Sequence, residues 1–112
     1  MDGVSLPTEN DISKALTYLA ETDEPYAKAI ARIKALEYKI KTIKGVAFLE
    51  AKGTVADRTA ISESSQEYKD FTKEYEDVYY DRQIMTSKRK RAELTIEVWR
   101  SLNAGRRQGQ IH

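Results

Sequence analysis

Cysteine is absent, which excludes a disulfide scaffold, a thiolate zinc site, an iron–sulfur centre and a cysteine nucleophile. The one histidine is His112, so neither a Ser-His-Asp triad nor a histidine-rich metal site is expected on an ordered element. Two prolines and five glycines in 112 residues leave room for long unbroken helices. No apolar run approaches the ~20 residues of a membrane span and no signal-peptide pattern opens the sequence; a soluble cytoplasmic protein is the expectation. Gly-rich phosphate loops, a nucleophile elbow and an isolated inward acid pair are also missing, which argues against an enzyme and against any cofactor or metal. Glu74, Asp77 and Asp81 share a helix face, but with no histidine or loop carbonyls beside them they read as a solvated or salt-bridged face.

What the chain does have is periodicity and blocks of charge. Mean hydropathy is −0.66 and 33% of residues are charged, yet the apolar residues recur too regularly for a disordered chain. Residues 1–8 hold Gly3 and Pro7 and read as a loose terminus. Ile12, Leu16 and Leu19 predict a short helix over 9–21, with Thr8 or Asn10 as its cap. Thr22-Asp23-Glu24-Pro25 signals a second start, and a helix over 23–52 follows, stopped by Gly53. Tyr26, Ile33, Ile40 and Ala47 form one heptad row; Ala29, Leu36, Ile43 and Glu50 form the other.

Residues 53–64 form a connection with a short helical turn, which Thr54 and Asp57 are spaced to cap. Ser64 and Glu67 are spaced as a capping box for a helix over 65–104. Its rows are Tyr68, Tyr75, Arg82, Arg89, Ile96, Asn103 and Phe71, Val78, Met85, Ala92, Trp99. Gly105 should end it, leaving a mobile basic tail over 105–112.

Two heptad helices joined by about a dozen residues imply an all-α, antiparallel helical hairpin with a coiled-coil-like seam. Ile33, Leu36, Ile40, Ile43, Phe71, Val78, Met85, Ile96 and Trp99 are its candidate core or interface. Net charges of −5, +5, −5 and +6 over residues 1–27, 28–60, 61–81 and 82–112 favour the antiparallel arrangement. A turn centred near residue 59 sets Lys39, Lys41 and Lys44 beside Asp77, Glu76 and Glu74. The apolar stripe is narrow, so a lone hairpin buries little, and a homo-oligomer is expected. Arg82 and Arg89 on the seam row read as setting register or assembly, or as snorkelling outward.

The sharpest local feature is Lys88-Arg89-Lys90-Arg91. Folding back brings Lys28, Arg32 and Lys34 to the same level, a belt of seven bases suited to phosphates, with Arg106 and Arg107 assisting from the tail. The same bases also fit a solvated face or a dock for an acidic partner protein.

Three stretches carry a resemblance: Tyr18-Leu-Ala-Glu-Thr-Asp-Glu24, Phe48-Leu-Glu-Ala-Lys-Gly-Thr-Val-Ala-Asp-Arg58, and the run from Arg91-Ala-Glu-Leu-Thr-Ile-Glu-Val-Trp99 to Ile111. Together they resemble a group of small, uncharacterised helical proteins of tailed bacteriophages, often encoded near replication and recombination genes. The group more often ends Ala-Asn-Arg-Arg where this chain has Ala104-Gly-Arg-Arg107. The resemblance implies a phage protein of the infected bacterial cytoplasm, an accessory to DNA replication or recombination, with DNA or a phage or host replication or recombination protein as partner. It brings no catalytic residues.

Overall fold

The computed structural model describes residues 5–111, with side chains through Arg107. Met1–Val4 and His112 lie outside the described residues, so the loose terminus expected over 1–8 is described only from Ser5. The chain forms three helices, α1 (Glu9–Glu50), α2 (Val55–Ser64) and α3 (Gln66–Ile111), with no strand among the described residues. It is an all-α helical hairpin.

Thr8 caps α1. Its N–H donates to Asp11 Oδ2 at 2.9 Å, and the Asp11 N–H donates to Thr8 Oγ1 at 3.2 Å. These bonds from Thr8 hold the Asp11 carboxyl below its ordinary value. The expected break at Thr22–Pro25 does not occur, and the segments 9–21 and 23–52 are one helix with Pro25 inside it. Thr22 explains the continuity. Its Oγ1 donates back to the Tyr18 carbonyl at 2.7 Å, a bond available only inside a helix, rather than accepting as a cap. Pro25 removes one N–H from the ladder and its ring crowds the carbonyl four residues back, at Glu21, yet the helix runs on through it.

α1 ends at Glu50, and Gly53 turns the chain at φ +114°. Thr54 and Asp57 then cap α2 reciprocally, as their spacing predicts. α2 already lies back along α1. Arg58 Nε donates to the Phe48 carbonyl at 3.0 Å with its guanidinium over the Phe48 ring, and Lys44 pairs with Glu63 at 3.1 Å. The reversal therefore sits at Gly53, not at the middle of the connection. That moves the register by roughly three helical turns from the expected one: Arg32, not Lys44, meets Glu74. Ser65, extended at ψ 146°, separates α2 from α3. Ser65 rather than Ser64 caps α3, accepting from the Tyr68 N–H at 3.2 Å, while Ser64 Oγ donates to the Ile61 carbonyl. α3 continues through Gly105 to Ile111, so the expected tail is helical to that point. Gly53 is the glycine with positive φ among the described residues; Gly105 keeps helical backbone and cannot act as a stop.

Packing divides into two units, Tyr26–Gln83 and Met1–Pro25 with Ile84–His112. In Tyr26–Gln83, Ile33 and Leu36 are buried; Ile40, Ile43, Phe71 and Val78 are half-buried on the predicted rows. Tyr75 stacks on Tyr79, and its hydroxyl donates to Glu37 Oε1 at 3.2 Å. Desolvation and the nearby Glu37 both push the Tyr75 phenol up. In the other unit Ile12, Ala15 and Ala92 are buried, while Met85, Ile96 and Trp99 are half-buried. Leu16 is 53% exposed; Ala15, three residues after Ile12, takes the inward position assigned to it.

Candidate nucleic-acid interface

Among the seven belt bases, Arg32 and Arg89 are each held by acceptors on the opposing helix. In Tyr26–Gln83, Arg32 grips Glu74 with two bonds, Nε to Oε2 at 2.6 Å and Nη2 to Oε1 at 2.7 Å. The pair lowers the Glu74 carboxyl and raises the Arg32 guanidinium. Lys28 and Lys34 are exposed on the same stretch of α1. In the other unit Arg89 points into the seam. Its Nη1 donates to the Leu19 carbonyl at 3.0 Å and to Thr22 Oγ1 at 2.7 Å, and its Nη2 donates to Asp23 Oδ1 at 2.7 Å. Its side chain is only 17% exposed. A seam arginine must meet acceptors or be left desolvated, and α1 supplies them one turn before Pro25. Arg82, the other seam arginine, lies over the Tyr79 ring, 5.1 Å from its centroid.

α3 also offers bases to solvent. Lys88, Lys90, Arg91, Arg100, Arg106 and Arg107 are all exposed, and Glu93 and Glu97 are the acids between Ile84 and Arg107. Three of these bases converge at one place. Trp99, Arg100, Asn103, Arg106 and Arg107 line an open pocket of about 510 Å³. Trp99, assigned to the core or interface by its heptad position, is half-buried and lines this pocket. The spacing of Trp99, Asn103 and Arg106 is i, i+4, i+7, one face of a helix. That signal was readable in the sequence but hidden by the expectation that Gly105 ends the helix.

A second, apolar groove of about 820 Å³ lies in the same unit. Ala15 and Ala92 form its floor, with Tyr18 on the α1 side and Leu94, Thr95 and Val98 on the α3 side. Leu6 and Pro7 lie against it, and Lys14, Lys88, Arg91 and Asp11 stand around it. The off-seam pair Leu94 and Val98, one turn apart, was its sequence signal.

Glu74 faces Arg32 rather than Asp77 and Asp81. Among the described residues no group of three or more His, Cys, Asp or Glu side chains is placed to hold a metal ion. No helix among them is long and apolar enough to cross a membrane. No protein-family model, curated protein or solved structure matches the chain.

Proposed function

We propose that the chain is a non-enzymatic nucleic-acid-binding accessory protein that takes a single strand at the Trp99 pocket. The observation that carries this reading is the indole sharing one pocket with three arginines and an asparagine. Single-strand binders combine an aromatic face for a base with cations for the phosphates, and stacking contributes about 1–3 kcal/mol per base. Arg100, Arg106 and Arg107 would neutralise the backbone, and Asn103 offers a donor and an acceptor to a base edge. Lys88, Lys90 and Arg91 extend the positive track along α3. A stacked duplex hides its base faces, so single strands are the favoured ligand. With the resemblance to phage proteins encoded near replication and recombination genes, the proposal extends to a role in DNA replication or recombination in an infected bacterial cytoplasm. A second reading, an interaction module docking on a host or phage protein, draws on the apolar groove, whose walls suit a side chain better than a phosphate chain.

Trp99 is the sole tryptophan and reports on its own site. Titrating oligothymidylate at low salt should quench its emission to saturation, with affinity falling steeply as salt rises. Arg106→Ala with Arg107→Ala should reduce the slope of log affinity against log salt by about two. Absence of binding at low salt, or binding indifferent to both substitutions, would overturn the proposal.

A further inference from the structure

The apolar groove and an acidic face elsewhere on α3 are complementary. The groove is walled by side chains that remain open to solvent, Leu94 at 55% and Val98 at 42% exposed. Three cations, Lys14, Lys88 and Arg91, stand around it against one acid, Asp11, whose carboxylate is occupied by the Thr8 cap. Two grooves set face to face would bring like charge together, which excludes that pairing. The acidic face belongs to the Tyr26–Gln83 unit. There Glu76, Asp77, Tyr80 and Asp81 fall on one side of α3, all exposed, with Tyr80 at 66%. An exposed tyrosine ringed by carboxylates has the shape and charge of an anchor for a basic-rimmed apolar groove.

We infer that the occupant of the groove is a second copy of this chain, seating Tyr80 between Tyr18 and Val98 and setting Asp77 and Asp81 against Lys88 and Arg91. The contact joins two different surfaces. It closes if two copies exchange tyrosines with each other or if the rotation completes a ring; otherwise it propagates. The inference shares Lys88 and Arg91 with the track proposed for nucleic acid but uses no residue of the Trp99 pocket, so the two readings can fail separately.

A charge-exchange experiment tests it, read as solution mass by light scattering over a protein concentration series. Wild type should assemble. Lys88→Glu with Arg91→Glu, and separately Asp77→Lys with Asp81→Lys, should each weaken assembly by about tenfold or more. An equimolar mixture of the two variants should assemble again, because each then offers what the other lacks. All four positions are exposed, and circular dichroism checks that both variants keep wild-type helicity. A wild type with the mass of one chain at every concentration overturns the inference and leaves the groove to a different protein. So does assembly unaffected by either variant, or a mixture of folded variants that stays dissociated. Trp99 quenching by oligothymidylate, measured on Asp77→Lys/Asp81→Lys, reports separately on the nucleic-acid reading.

Discussion

Individual side chains decide how much of the predicted basic belt reaches solvent. Arg32 and Arg89 look in the sequence like members of a phosphate-binding group, yet each is held by acceptors on the opposing arm of its own hairpin. Charge counting along a sequence cannot separate such arginines from free ones. Heptad position does so for Arg89, which falls on the seam row with Ile96, but not for Arg32, which lies off both rows. The Arg32–Glu74 pair has a consequence in acid. Glu74 is held below its ordinary value of 4.5, so the contribution of the pair is complete above that pH and is lost as pH falls through the depressed value. Glu74→Gln should accordingly flatten the decline of melting temperature below pH 4.5 relative to wild type. Leu36 is the other decisive residue, with no surface left exposed. Leu36→Ala should cost about 2–3 kcal/mol in urea denaturation, near the low end for such cavities because a two-helix seam can relax into the gap. Val46→Ala, at an exposed position, should cost less than about 0.5 kcal/mol.

At the scale of elements, heptad spacing made the seam legible: every residue of the two α3 rows from Tyr68 to Asn103 is buried or half-buried. Boundaries were less legible, and for one physical reason. Thr22, Pro25 and Gly105 are punctuation only where the backbone leaves helical geometry, and here packing keeps it helical. Gly53 is the position where the local signal and the backbone agree. The register was missed because α2 is helical and belongs to the returning arm, so the whole connection does not act as the turn. Gly53→Ala tests the turn directly. An added Cβ would sit 3.1 Å from Asp57 Oδ2, at a φ that side chains rarely adopt, and would disturb the Thr54–Asp57 cap. A loss of about 1–2 kcal/mol is expected by urea denaturation.

For the molecule as a whole, composition already indicated a sparse interior: a third of the residues are charged, and among the described residues the buried apolar side chains are Ile12, Ala15, Ile33, Leu36 and Ala92. The hairpin was thus readable from periodicity and charge. The Trp99 pocket and the groove were not, because both depend on off-seam residues whose neighbours become known only with the true helix ends and register. One anchor in this thin structure behaves unlike the rest. Two of the acceptors around Arg89, the Leu19 carbonyl and the Thr22 hydroxyl, carry no titratable charge. A guanidinium does not surrender its proton in any condition where proteins stay folded. Hydronium has nothing to neutralise at these two oxygens, so this tether outlasts the carboxylate pairs on acidification.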